Sequence, residues 1–283
     1  MRNCNSIFAL SGAALCAAVL AAAASMIPFA LLSDAAMAQA PAEEDVWPGI
    51  RKELYAQRPV TEEDGVVILD APQRAEDAAV VPITMRIPAN VAAGAKTLTL
   101  VIEKNPAPMA ASFTFGPAAG DGERVISTRV RVDMYSNVRA IVEMNDGTLH
   151  MATKYVKAAG GCSAPALKDA EEALAQLGKM KQRLHSENQS PMMQEAQVMI
   201  RHPNYSGMQM NQLTGLYIPA KYIQSMEVKH GDEIIFTMDG GISLSENPNI
   251  RFTYATGGDN DILVTAKDTD GSVFTVRQSP KGS

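Results

Sequence analysis

The sequence has little cysteine, histidine or aromatic residue. Its 283 residues hold three cysteines, four histidines, seven phenylalanines, seven tyrosines and one tryptophan. So few Cys and His residues exclude a disulfide-stapled scaffold and a zinc module, both of which need several such groups at short spacing. None of His150, His185, His202 and His230 stands near a cysteine in the sequence, and no metal or cofactor is expected. His202, just before Pro203, reads as structural, at a strand end near a domain interface. Positive charge is also short: 25 Lys and Arg against 31 Asp and Glu, net −6, so the chain as a whole is no footprint for nucleic acid. There is no serine–histidine triad context, no Gly-rich phosphate loop and no nucleotide fingerprint. With no acid–base constellation beside a nucleophile, the chain reads as a non-enzyme.

What is present begins with an export signal. Arg2 is followed by a nearly unbroken apolar run from Ile7 to Leu32, then by Ala36-Met37-Ala38, the small-x-small pattern of a signal-peptidase site. Residues 1–38 are therefore expected to be a signal peptide, and the mature protein to be periplasmic and to start at Gln39. No later segment approaches the length of a membrane span. Cys4 and Cys16 leave with the signal, so Cys162 remains alone in an oxidising compartment.

Residues 39–65 form an acidic, polar N-terminal segment in which Trp47–Gln57 is predicted to be a short helix with Trp47, Ile50 and Leu54 on one face. From Val66 the pattern changes to short β-branched runs every 8 to 12 residues. Strands are predicted at 66–69, 81–87, 97–103, 111–115, 124–132, 138–144 and 148–156, with Asp146-Gly147 as a hairpin turn. Ala166–Leu184 carries Leu167, Ala170, Leu174, Leu177 and Leu184 at helical spacing, and the polar stretch 185–194 reads as a linker. A second strand series follows at 196–201, 222–229, 233–238, 242–245, 249–255, 261–266 and 272–276. The expected architecture is all-β: two immunoglobulin-like antiparallel sandwiches, 66–162 and 195–283, joined by a helical linker over 163–194. Met192, Met193, Met199, Met208 and Met210 read as core filling or adaptable surface rather than a copper site. Asp259-Asn260-Asp261, after Gly257-Gly258, reads as a turn.

The candidate site is Gly160-Gly161-Cys162. Two glycines leave the sulfur without a bulky neighbour on one side and give the backbone wide freedom, so the segment is expected to be an exposed arm hinged at Gly160 and Gly161. Lys154 and Lys157 are the nearby cations that would raise the thiolate fraction if they lay close.

These residues carry a family resemblance. The first half is similar to SoxY in Glu103-Lys104-Asn105-Pro106-Ala107-Pro108, in Ala111-Ser112-Phe113, in Thr128-Arg129-Val130-Arg131 and above all in Val156 through Gly160-Gly161-Cys162. The second half resembles SoxZ in Ile200-Arg201-His202-Pro203, Gly207, Ile218-Pro219-Ala220-Lys221-Tyr222-Ile223, and Gly240 with Ser243, Asn247-Pro248 and Phe252. Together they resemble a single-chain fusion of the two subunits of SoxYZ, the sulfur carrier of bacterial thiosulfate oxidation. The resemblance is to the type associated with quinoprotein (PQQ) dehydrogenases. It implies that Cys162 covalently holds a sulfur-containing intermediate and presents it to sulfur-oxidising or quinoprotein dehydrogenase partners. The other reading is a non-covalent adaptor for such a dehydrogenase. Ser163-Ala164 stands where the family has a second Gly-Gly, and the arm is internal rather than terminal.

Overall fold

The computed structural model describes residues 45–165, 175–190, 192–257 and 261–278, with side chains left aside at 186–190. The expected signal peptide, the first half of the expected helix (166–174) and the Asp259-Asn260 turn lie outside these residues. Within them, α1 (Trp47–Tyr55) precedes eight strands: β1 (Thr61–Glu62), β2 (Ile68–Asp70), β3 (Val81–Ile87), β4 (Ala95–Ile102), β5 (Met109–Phe115), β6 (Arg124–Val130), β7 (Ser136–Met144) and β8 (Leu149–Val156). A one-turn helix, α2 (Ala89–Ala92), connects β3 to β4. Seven more strands follow: β9 (Met180–Ser190), β10 (Met193–Ile200), β11 (Ile223–His230), β12 (Glu233–Gly240), β13 (Asn249–Ala255), β14 (Ile262–Asp268) and β15 (Val273–Gln278). Among the described residues no helix is long and apolar enough to cross a membrane.

The strands form where β-branched residues alternate with polar ones. In β3, β13 and β14 every second side chain is buried, so one face of each strand supplies the core. The all-β, immunoglobulin-like expectation holds, but the two halves are not separate sandwiches. One sheet runs β1-β8-β7-β4-β5-β12-β11-β14-β15 and the other β2-β3-β6-β13-β10-β9. Both cross from the first half of the chain to the second. At one seam β5 pairs antiparallel with β12, from Phe115 opposite Phe236 to Ala111 opposite Gly240. At the other, β6 pairs with β13. Residues 45–283 accordingly form one compact unit with a core common to both halves.

Four aromatic rings meet at this seam. Phe236 meets Phe113 edge-on at 5.7 Å and Phe252 at 5.1 Å, and Phe252 meets Tyr254 at 6.2 Å. Such pairs add to the burial of their area. The predicted α1 face, Trp47, Ile50 and Leu54, packs on a small satellite core of Val101, Ile141, Leu149 and Met151.

Two expectations are corrected. Residues 180–190, divided above between helix and linker, are the strand β9, paired with β10 from Met180 opposite Ile200 to Ser190 opposite Met193. It is the edge strand of its sheet, and its polar sequence hides the strand signal. Residues 242–245, expected as a strand, stay outside the named strands. Their backbone instead extends the β6 ladder: Arg131 N donates to Ser243 O (2.7 Å) and Ser245 N to Arg129 O (3.1 Å).

Candidate functional site

Three segments meet at Cys162: the chain after β8, the loop after β6 (Arg131–Asp133) and the loop after β10 (His202–Gln209). Asn105, buried just after β4, sets the second of these. Its side-chain NH2 donates to Arg131 O (2.8 Å) and Ser243 Oγ (2.9 Å), and its Oδ1 accepts from Asp133 N (2.9 Å). With those bonds made, the 131–133 backbone becomes a template for the arm. Gly160 N donates to Asp133 O (2.7 Å), Gly161 N to Val132 O (3.0 Å) and Cys162 N to the Asp133 carboxylate (3.2 Å).

The two glycines do different work. Gly160 has φ +79°, a left-handed conformation that disfavours side chains, and open space around its Cα. Gly161 is packed between strands of backbone: an added Cβ would lie 2.1 Å from the Ala78 carbonyl oxygen and 2.7 Å from that of Val132.

The SoxZ-like half closes the other side. Ser206 Oγ donates to the Cys162 carbonyl, and Gln209 Nε2 donates to Ala164 O (3.1 Å). Gln209 in turn holds Ser206 through its Oε1 (3.1 Å). The result overturns the exposed-arm expectation, because Cys162 is fully buried and free. Neither Lys154 nor Lys157 is its cation. Arg131, itself buried, faces it, donating to Gly161 O and to Asn204 O at 3.3 Å each, with its Nε lacking a hydrogen-bond partner.

Burial pushes the Cys162 thiol up to about 12. The Asp133 carboxylate adds to the rise and the Arg131 guanidinium opposes it. Burial also lowers the Arg131 pKa. The docked thiol is therefore held neutral and unreactive. The expected consequence is a rate of alkylation by iodoacetamide that climbs about tenfold per pH unit up to about pH 12. At pH 8 it should be roughly a thousandfold below that of a thiol with the ordinary value of 9.0. A plateau near pH 9 at the rate of a small-molecule thiol would show that the arm is not docked.

His202 is structural, as expected. It is buried, accepts from Asn204 N at Nδ1 (3.0 Å) and stands 3.5 Å from Asp268 through Nε2. Burial lowers its pKa, against opposing effects from Asp268 and Asn204. Asn204, at φ +45°, presents the carbonyl that Arg131 binds. Sequence reasoning singled out Cys162, Gly160 and Gly161. It missed Asn105, Arg131, Asp133, Ser206 and Gln209 as the groups that hold them. All five lie in, or within two residues of, segments quoted for the family resemblance, but nothing in the sequence brings them together.

Comparison with known proteins identifies the two halves of the chain. Residues 51–162 match the family of the sulfur oxidation protein SoxY, and residues 182–279 that of the sulphur oxidation protein SoxZ. The first match ends at Cys162 itself. Among solved structures, the sulfur carrier protein SoxY from Chlorobium limicola f thiosulfatophilum is 26% identical, covering 40% of this chain and 94% of that one, with a TM-score of 0.34. No curated protein matches. The two domains define a carrier of the sulfur-oxidation system. The chain belongs to the SoxY and SoxZ families at once, as a SoxYZ fusion in a single polypeptide.

Proposed function

We propose that the protein is a periplasmic carrier that holds a sulfur-containing intermediate covalently on Cys162 and presents it to partner enzymes of sulfur oxidation. The observation that carries this reading is the position of the thiol. It is the last residue of the SoxY match, and it sits at the end of a segment held to the body by hydrogen bonds at 160–164 rather than by a strand ladder. The apolar N-terminus ending in Ala36-Met37-Ala38 supports export.

The buried state is the resting carrier. For loading, the arm lifts about Gly160, whose left-handed backbone and open surroundings suit a pivot, and the thiol regains its ordinary acidity in water. The thiolate then attacks the sulfur of a donor already at the disulfide level. The new Sγ–S bond forms as the donor's bond to its leaving group breaks, and the electron pair departs with that group. Unloading is the reverse exchange: a second nucleophile attacks the outer sulfur and Sγ leaves as thiolate.

Intact-mass spectrometry of the protein isolated from its native periplasm tests this. The expected result is a population carrying extra sulfur or sulfur-oxyanion mass, absent from the Cys162→Ser protein and removed by dithiothreitol. A homogeneous unmodified thiol, together with a Cys162→Ser strain that oxidises sulfur like the wild type, would overturn it.

A further inference from the structure

Outside the thiol site, the six-stranded sheet carries a feature at odds with the net charge. At its second-half end a cleft of about 200 Å³ is lined by Arg129, Lys179, Lys181 and Arg201, with Asn247 and Asn249 between them and no acidic residue among the described residues of its wall. A chain of net charge −6 has thus placed four cations around one concavity. They come from both halves of the fusion: Arg129 from β6, Lys181 from β9, Arg201 from the end of β10 and Lys179 from the turn before β9.

The backbone fixes where these side chains start. Arg201 N donates to Lys179 O (2.8 Å), which sets those two residues side by side. Met199 lies opposite Lys181 on one flank and Asn249 on the other. Arg129 is tied through its carbonyl to Ser245. Arg129, Lys179, Lys181 and Arg201 are all exposed, so none has given up its hydration. Of the four, Lys179 has a side-chain partner, the neutral Gln176 (2.8 Å). Like charges gathered around one concavity repel one another, and a divalent anion in the cleft relieves that repulsion. The remaining side-chain surface is that of Met199, half-buried and polarizable; Ile200 beside it turns into the core. Such a wall offers dispersion contact to a soft sulfur atom that a fully oxygenated anion lacks.

We propose that this cleft is a binding site for a small divalent sulfur oxyanion of the thiosulfate type, with its oxygens toward the four cations and its terminal sulfur toward Met199. The site is separate from Cys162 and does not depend on the covalent reading, so the two stand or fall on different measurements.

Isothermal titration of the full mature chain with sodium thiosulfate, with sodium sulfate, and with sodium chloride at matched ionic strength tests the proposal. Saturable thiosulfate binding is expected, unchanged in Cys162→Ser protein and weakened at least tenfold in the Arg129→Ala/Arg201→Ala double variant. The exposure of both arginines lets that variant fold, which an unchanged circular dichroism spectrum verifies. Tighter binding of thiosulfate than of sulfate supports the role of the Met199 wall. Met199→Ala should then erase that preference while leaving sulfate affinity as it was. A response to thiosulfate no larger than that to chloride overturns the proposal, as does equal binding by the double variant. Saturable binding of a hexaglutamate peptide with no response to either oxyanion also overturns it, and makes the cleft a docking face for an acidic protein.

Discussion

Gly161→Ala is expected to drive the arm out of its dock. The new methyl group would sit 2.1 Å from one backbone oxygen and 2.7 Å from another, and neither is the end of a flexible side chain that can step aside. Ala78, Val132 and Gly161 are laced together, with Val132 N on Ala78 O (2.8 Å) and Gly161 N on Val132 O (3.0 Å), so relief requires the arm to leave. Overpacking costs about 1–3 kcal/mol; a clash with two fixed backbone oxygens stands at the upper end, and about 3 kcal/mol is about a hundredfold in an equilibrium. The thiol of Gly161→Ala protein should therefore react with a neutral disulfide reagent at pH 7.5 about two orders of magnitude faster than wild type. Its melting temperature should change little, because the arm adds few apolar contacts to the core. Gly160→Ala provides the contrast. Its methyl meets open space, and the left-handed φ costs only about 1 kcal/mol, or roughly a fivefold acceleration. Equal rates for wild type and Gly161→Ala would mean that the packed state does not limit reactivity.

Phe236→Ala is expected to give the largest loss of stability. Phe236 is fully buried on β12, edge-on to Phe113 of the first half and to Phe252 of β13. Emptying that volume costs about 3–5 kcal/mol, the usual range for a buried Phe→Ala change. For a unit of this size, that lowers the melting temperature by roughly 10 °C. The change lies in the second half, yet the only tryptophan, Trp47, lies in the first. Because both sheets cross the seam, urea unfolding followed by Trp47 fluorescence should shift by as much as unfolding followed by far-ultraviolet circular dichroism. A Trp47 transition that stays at its wild-type midpoint would show that the halves unfold separately.

Much of the architecture was legible in the sequence, and the failures have identifiable causes. Thirteen of the fifteen strands coincide with β-branched runs bounded by Gly, Pro, Asn or Asp, because those runs had to fit a half-buried pleated surface. β9 escaped because an edge strand need not alternate strictly, and Leu177 and Leu184 fell by chance at helical spacing. Ile242–Ser245 looked like a strand and is used as one by its hydrogen bonds to β6, although a tight turn curtails it. At the site, Cys162 was found by elimination. Its partner Arg131 was not, for a reason that alternation makes plain. Arg129 and Arg131 are two apart and would share the outer face of a continuing strand. β6 ends at Val130, and Arg131 turns inward, where burial of a cation is the last thing composition predicts. The exposure of the arm was misread because glycine reports freedom or close approach with the same letter. Gly160 uses the first and Gly161 the second.

The continuous sheets also bear on how the carrier behaves when it is scarce. Two separate subunits joined only by seams such as β5–β12 and β6–β13 would dissociate on dilution, with a midpoint set by their affinity. Here one polypeptide supplies both edges of each seam, so pairing is intramolecular and proceeds at an effective concentration in the millimolar range. Ser206 and Gln209, which hold the backbone at Cys162 and Ala164 from the second half, are therefore always at hand for the first. The proportion of covered thiol is then independent of how much of the protein the cell makes.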